Sequence, residues 1–397
     1  MRMSSASEED IKSGKTADVY FGKTVGILSS GFPDRQVIMD VTFSGSEFPF
    51  ILLSGLNDTL SMLEGKNVDV FAIPEGTLIP NRDIKGIPLP VLSISGRYRE
   101  FSVMETALLG SLSQASGIST KSCMIRAAAG DLPYISFGIR RMHPAISPMI
   151  DRSAFIGGAD GVSGLMGAEL IGRDAVGTMP HALSLLLGDE EAWKMCAGIT
   201  NGKKTLLIDT FDDEKFAALK AARLIKDLDY VRLDTPSSRR GNFGNIVREV
   251  RWELDLRGYK NVKIMVSGGL DVESVMDLRK AGAEAFGVGT SVASAKPVDF
   301  ALDIVEIEGN PIAKRGKYSG RKKVLRCQDC RKVSVVPIDA KDENCSCGGE
   351  MENLLKPVMK KGKMVGRYPT PPEIRERAMD EMKKGSALLS LVIENGD

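Results

Sequence analysis

Between residues 130 and 295 short apolar runs recur, each ending in glycine or polar residues and several followed by a stretch with apolar residues at helical spacing. The runs fall at 134–140, 154–160, 175–178, 205–210, 230–235, 262–268 and 285–290, and the helical stretches at 215–228, 242–257 and 272–281. Strands alternating with helices at roughly 20–30-residue spacing make βα units, and βα units make a parallel sheet. Seven such units without a long break predict a closed α/β barrel of TIM-like type rather than an open doubly wound sheet. In such barrels the reacting groups stand at the C-terminal ends of the strands. Arg140, Thr178, Asp209, Arg232, Asp234, Ser267, Gly269, Gly289 and Thr290 fall there. A parallel strand is buried on both faces, so a charge inside one needs a reason. Arg232 and Asp234, two apart, point to the same side of their strand and are expected to line the barrel mouth.

The flanks read differently. Before the barrel, strands are expected at 37–43, 48–53 and 68–73 and a short helix at 56–65 with Asn57 or Asp58 as its cap, which suggests an α+β unit. A long helix follows from Glu105 to about Ala129, and its small residues Ala107, Gly110, Ala115, Ser116 and Gly117 permit close packing. After residue 312 the chain turns basic, and a last helix is expected from 372 to about 392. The expected domains are 1–112, α+β; 113–300, the barrel; and 301–397, a small cysteine-rich appendage. The 53 Lys+Arg against 52 Asp+Glu leave a net charge of +1, so no whole-protein field favours nucleic acid or an anionic membrane. No apolar run approaches the ~20 residues of a membrane span; the 386–393 run is too short. The polar, acidic start lacks the apolar core of a signal peptide, which points to the cytoplasm.

Four of the six cysteines cluster as Cys327-x-x-Cys330, fourteen residues, then Cys345-x-Cys347-Gly348-Gly349. Two close pairs on tight turns can bring four thiolates to a tetrahedral Zn²⁺, and with four sulfurs no coordination position stays open for water. A structural zinc is therefore expected rather than a catalytic one. The flank at 312–332 holds nine Lys/Arg against one acid, which keeps a nucleic-acid-binding zinc ribbon as a rival, but a lone tyrosine, Tyr318, is no aromatic interleaving of the charge.

Glycine-rich strand ends carry the next expectation. Gly287-Val288-Gly289-Thr290 offers backbone amides and a hydroxyl suited to a phosphate, and Ser267-Gly268-Gly269 ends the preceding strand in the same style. Paired glycine-rich ends on the last two strands form a phosphate site in many such barrels. His181, one of only two histidines, follows the strand end at Gly177-Thr178, and Arg239-Arg240 can bind an anion or face water.

Taken in order, Thr16-Ala-Asp-Val-Tyr20, Pro74-Glu-Gly-Thr77, Ser136-Phe-Gly-Ile-Arg-Arg141, Gly177-Thr-Met-Pro-His181, Ile208-Asp-Thr210, Val231-Arg-Leu-Asp-Thr235, Val266-Ser-Gly-Gly-Leu-Asp271 and Phe286-Gly-Val-Gly-Thr290 resemble the nicotinate phosphoribosyltransferases. The likeness is to the compact archaeal type with a cysteine-rich C-terminal appendage, and it covers nearly the whole chain. It implies a type II phosphoribosyltransferase, a mixed α/β N-terminal domain with an irregular α/β barrel, working as a homodimer or a higher homo-oligomer with shared active sites. The implied reaction joins nicotinate to phosphoribosyl pyrophosphate (PRPP) with Mg²⁺ and ATP, giving nicotinate mononucleotide and pyrophosphate in NAD salvage. By motif, Tyr20, from a neighbouring subunit, and Phe137 would sandwich the pyridine ring. Arg232 would pair with the nicotinate carboxylate, with Arg140 and Thr178 nearby. His181 would be the phosphorylated histidine; Asp209 and Asp234 would hold the ribose or Mg²⁺; and Ser267, Gly268, Gly269, Gly289 and Thr290 would cradle the 5-phosphate. The nearest rivals of the same fold act on quinolinate or nicotinamide. A quinolinate enzyme would need several cations converging on two carboxylates.

Overall fold

Tyr134–Ser136, Gly161–Val162, Thr205–Leu207, Tyr230–Leu233, Lys263–Ser267 and Ala285–Val288 form one six-stranded parallel sheet. The structure, a computed structural model, describes residues 3–45, 48–341 and 344–385. In space the strands run 161–162, 134–136, 285–288, 263–267, 230–233, 205–207. The first strand of the series thus lies beside the last, with Phe286 opposite Tyr134 and Val288 opposite Ser136. This order begins a barrel, but among the described residues the edge strands Gly161–Val162 and Thr205–Leu207 do not pair with each other. The expected barrel is therefore a curled parallel half-barrel, open between those two strands.

Two of the expected strands are not strands. Residues 154–156 finish the helix Ser147–Ile156, whose seven residues from Ile150 to Ile156 are all buried. A run buried on every side has no periodicity to separate helix from strand, so the sequence pattern misled here. Residues 175–178 form a loop whose backbone meets the sheet at Val176 N–H to Val162 O, 2.8 Å. Elsewhere the helices follow the pattern: Glu214–Leu224, Phe243–Leu256 and Val272–Lys280 bury one face each. Each has a side-chain cap at its start, from Asp213, Asn242 and Asp271 respectively.

This sheet and its helices lie in one of two units, Lys121–Ala295; the other takes the residues through Thr120 and those from Lys296 onward. That second set shares one seven-stranded sheet, ordered Asn310–Pro311, Asp299–Ile307, Gln36–Gly45, Pro90–Arg97, Val68–Ala72, Lys356–Lys360, Lys363–Met364. The segment expected as a separate domain at 301–397 therefore completes the N-terminal sheet. Asp299–Ile307 runs antiparallel to Gln36–Gly45, with Val41 opposite Leu302, and Lys356–Lys360 borders Val68–Ala72. Buried Met39, Val41, Val70, Leu92, Ile94 and Leu302 form the heart of its core.

The boundary expected at 112 falls inside the helix Glu105–Ala129, which forms over the range its sequence predicts. Close packing against it sets the cap of the helix Leu56–Leu63. That cap is Gly55, not Asn57 or Asp58; its φ is 88°, and a Cβ there would lie 2.5 Å from Ser111 O and 2.9 Å from Ala115 Cβ. The last helix, Pro371–Lys384, opens on a capping box of Thr370 and Glu373. The remainder of that expected helix, 386–392, and the 386–393 apolar run lie outside the described residues. Among the described residues no helix is long and apolar enough to cross a membrane.

Candidate functional site

Within the Lys121–Ala295 unit the charged break in the Tyr230–Leu233 strand organises the strand ends. Arg232 donates from Nε to Ser267 Oγ at 2.9 Å and from Nη1 to Thr178 Oγ1 at 2.6 Å. Its Nη2 stands 3.5 Å from Asp234 Oδ1, which also accepts from Ser267 Oγ at 2.7 Å. The guanidinium lies over the Phe137 ring, 5.0 Å from its centroid. Burial pulls the Arg232 pKa down, while Asp234 and Asp209 support its charge and Arg140 opposes it. A half-buried, fixed fork beside an aromatic face is a receptor for a carboxylate carried on a flat ring.

Next to this fork stand an imidazole and a second carboxylate. His181 Nε2 is 3.8 Å from Asp234 Oδ2, and its Nδ1 is 3.2 Å from Thr210 Oγ1. Asp209, two residues past the end of the Thr205–Leu207 strand, has both carboxylate oxygens buried with no hydrogen-bond partner. Burial raises its pKa, the His181 charge opposes that rise, and Asp234 adds to it. Two neighbouring carboxylates, one with unpartnered oxygens, fit a hard divalent cation or sugar hydroxyls.

The glycine turns complete the arrangement. Gly268 and Gly269 have φ of 91° and 66°, a conformation that presents backbone amides outward. Ser291 Oγ, one residue past Thr290, donates to Leu270 O at 2.6 Å and ties the two glycine-rich turns together. Gly287 has a different role from the one expected. A Cβ there would lie 2.6 Å from Phe137 Cε2 and 3.0 Å from Ser267 Cβ, so the missing side chain makes room for the ring. Arg240 donates to Gly268 O at 2.7 Å and lies over the Phe243 ring, which gives it a partner that neither anion nor water reading foresaw.

The structure thus brings Phe137, Thr178, His181, Asp209, Arg232, Asp234 and Ser267 to one end of the sheet, with Gly268, Gly269, Gly289 and Thr290 on the adjoining turns. Arg140 faces solvent close enough to oppose the Arg232 charge. Thr210 was missed as a site residue. Its signal was the dipeptide Asp-Thr repeated at two adjacent strand ends, 209–210 and 234–235.

Tyr20 and the cysteines belong to the other unit. Tyr20 sits in the first turn of the helix Val19–Ser29 and is 55% exposed. The sulfurs of Cys327, Cys330, Cys345 and Cys347 all lie within 4.8 Å of one another, so the cluster can hold a metal ion. The Cys327–Cys347 and Cys330–Cys345 separations are both 3.5 Å. That is too long for a disulfide and near the ~3.8 Å expected between sulfurs on a tetrahedral zinc. Much of the basic flank is paired inside this unit. Lys314 and Lys317 meet Asp303, Lys322 meets Asp40, and Arg326 and Arg331 meet the buried Glu381 of the last helix.

Known proteins resemble the chain over both units. A family model described as the quinolinate phosphoribosyl transferase C-terminal domain matches residues 118–303, and the N-terminal domain model of the same name matches 18–116. Nicotinate phosphoribosyltransferase pncB1 of Mycobacterium tuberculosis is 31% identical over 253 residues, covering 60% of this chain and 55% of that protein. The chain thus spans little more than half the length of that relative. The crystal structure of nicotinate-nucleotide pyrophosphorylase from Pyrococcus furiosus matches with a TM-score of 0.92 and 51% identity, over 97% of this chain and 98% of that one. Human nicotinic acid phosphoribosyltransferase shares the fold, with a TM-score of 0.71 at 18% identity over 92% of this chain and 93% of that one. On the paired domain models and the Pyrococcus likeness, the chain belongs to the quinolinate phosphoribosyl transferase family.

Proposed function

We propose that the protein is a nicotinate phosphoribosyltransferase, joining nicotinate to PRPP to give nicotinate mononucleotide and pyrophosphate in NAD synthesis, with ATP hydrolysis coupled through His181. The observation that carries this reading is Arg232, gripped by Thr178, Ser267 and Asp234 above the Phe137 ring. One fixed guanidinium beside an aromatic face matches one carboxylate on one pyridine ring, and it separates nicotinate from the uncharged amide.

In the reaction the bond from ribose C1 to pyrophosphate breaks as the pyridine nitrogen attacks. Positive charge develops on the sugar and negative charge on the leaving group. Asp234 and Asp209 would stabilise the cationic ribose or hold its hydroxyls. Mg²⁺, bound with PRPP, would neutralise the departing pyrophosphate, and the unpartnered Asp209 oxygens fit it. The amides at Gly268, Gly269 and Gly289 and the Thr290 hydroxyl suit the 5-phosphate. The ring nitrogen is already nucleophilic, so no strong general base is needed. In the tautomer whose Nδ1 donates to Thr210, His181 Nε2 has a lone pair that would take the γ-phosphoryl group of ATP, releasing ADP.

Tyr20 would close the other face of the pyridine from a neighbouring copy, in a homodimer or higher oligomer. Its helix supports this: Val19, Tyr20 and Ile27 are exposed, and of its eleven residues only Phe21 is buried. The four cysteines would hold a structural Zn²⁺. A cytoplasmic location accords with a substrate set of nicotinate, PRPP and ATP, and neither nucleic acid nor membrane enters the reading.

Quinolinate is the second reading, favoured by the name of the matching domain models. Against it, Arg232 is the arginine that Asp234 holds among the described residues, Arg240 is turned to backbone carbonyls, and Arg140, near enough to oppose the Arg232 charge, faces solvent as Arg141 and Arg239 do. Turnover with PRPP and Mg²⁺, offering nicotinate, quinolinate and nicotinamide separately with and without ATP, tests the proposal. Mononucleotide from nicotinate, faster with ATP, is expected. Product from quinolinate alone, with release of CO₂, would replace it.

A further inference from the structure

Much of the basic flank of the cysteine cluster is paired with acids, but three cations of the Lys121–Ala295 unit are not. Among the described residues, Arg240, Arg248 and Lys280 have no acid within ion-pair distance. All three line one cavity of about 330 Å³ between the start of the helix Phe243–Leu256 and the helix Val272–Lys280. The lining holds one acid, Asp277, so three positive charges against one negative leave an excess of two. Charges of one sign gathered at a concave surface focus a field that draws in counter-ions.

The two guanidinium groups are held in place by neutral partners. Arg240 donates from Nη1 to Gly268 O at 2.7 Å, reaches Thr235 O at 3.4 Å, and lies 4.7 Å from the centroid of the Phe243 ring. Its Nε and Nη2 make no hydrogen bond among the described residues. Arg248 donates from Nη1 to Asn245 Oδ1 at 2.9 Å, and the Asn245 amide is itself held by Asn242 Oδ1 at 3.1 Å. At Gly244 a Cβ would lie 3.6 Å from Arg248 Nη1 and 3.4 Å from Cβ of Ala281, the residue after Lys280. The Arg248 fork thus stands at the end of the helix that carries Lys280.

We propose that this cavity is a second anion site, separate from the strand-end site, and that it takes a linear polyphosphate, as a free ion or as the tail of a nucleotide. Guanidinium forks match pairs of phosphate oxygens, and a lysine adds a point charge. The volume selects length: it is roughly ten times a water molecule's share of the liquid, so a single phosphate leaves room unfilled. A chain of phosphates can meet the arginines on one side and Lys280 on the other. The site stands independently of the nicotinate reading, because no residue of the pyridine receptor lines it.

Hydrogen exchange of the full chain with inorganic tripolyphosphate, which the proposed reaction neither consumes nor releases, tests the site. Exchange should slow at 242–248 and 274–280, and affinity by calorimetry should fall as NaCl is raised. The double variant Arg248→Glu, Lys280→Glu changes two exposed side chains. It should weaken binding there at least tenfold and abolish the slowing, while slowing at 287–291, which reports the strand-end turn, survives. No slowing at 242–248 in wild type, or equal slowing in the variant, overturns the site. Should that variant not fold, Arg248→Gln, Lys280→Gln takes its place with the same expected loss. Orthophosphate bound as tightly as tripolyphosphate overturns the polyphosphate assignment. A parallel arm with ADP separates the two sources, since tighter ADP assigns a nucleotide tail and tighter tripolyphosphate a free ion. Absence of slowing at 287–291 alone would count against the strand-end phosphate reading and leave this site standing.

Discussion

Replacing Arg232 by alanine removes donors from Thr178 and Ser267 and leaves Asp234 without its nearest cation. Charge-assisted bonds to a substrate carboxylate of this kind support at least about 100-fold in kcat/KM. We expect that loss for nicotinate, little change in the KM for PRPP, and no rescue by Arg232→Lys, because an ammonium cannot reproduce the fork. Steady-state kinetics with each substrate varied in turn checks it. Asp151 makes a second test, of stability rather than turnover. Its side chain is buried, Oδ2 accepts from Gly164 N–H at 3.1 Å, and Oδ1 has no partner. Burial pushes its pKa from 3.8 up to about 6, against the pull of the Gly164 bond. Between about pH 4 and 6 the folded chain thus holds a proton that the unfolded chain has released, so stability falls as pH rises across that window and stays lower above it. Asp151→Asn should remove that fall and melt higher than wild type at pH 7; equal melting temperatures at pH 7 would refute it. At this scale the sequence was informative where chemistry is rare. A charged pair at the end of a parallel strand and one of two histidines marked the site, whereas Asp151, just ahead of the run at 154–160 that read as strand, gave no signal.

Elements explain which parts were legible. The helix Glu105–Ala129 and the strand ends at 232–234, 267–269 and 287–290 follow directly from apolar spacing and glycine placement. What spacing cannot supply is three-dimensional proximity. Gly287 reads as half of a phosphate loop, yet its neighbour in space is the ring of Phe137, one residue past the strand that begins the series and pairs with the last. Adding one methyl there forces the ring or the strand aside, which costs roughly 1–3 kcal/mol in a packed site. Gly287→Ala should therefore lower the melting temperature. Because the ring lies under Arg232, it should also raise the KM for nicotinate more than that for PRPP. Equal effects on both substrates would mean that the glycine serves the phosphate after all. The Cys327–Cys347 cluster was equally legible, since metal-ligand spacing is local; the pairing of its basic flank with Asp40, Asp303 and Glu381 was not, because those acids are distant in sequence.

At the scale of the molecule the cysteine cluster and the proposed pyridine site stand in different units, and that division would make the role of a metal held by the cysteines separable from catalysis. Arg326 and Arg331 bracket the first cysteine pair and both hold Glu381, so the last helix depends on the knuckle that presents them. Chelation should raise hydrogen exchange in the 371–384 helix before it changes exchange in the 205–290 strands. The reverse order would assign the metal to the reaction. The same division bears on how a whole site is assembled. If Tyr20 serves the site of another copy, Tyr20→Ala and Arg232→Ala are each inactive alone but damage different halves. Half of randomly re-paired dimers are then hybrids, each with one site built from two intact halves, so about a quarter of wild-type activity should return on mixing and reassembly. Recovery that grows with re-pairing time would establish a site shared between copies. Mixtures that stay as inactive as either variant would mean that Tyr20 acts within its own chain, and the exposed face of the Val19–Ser29 helix would then need another occupant.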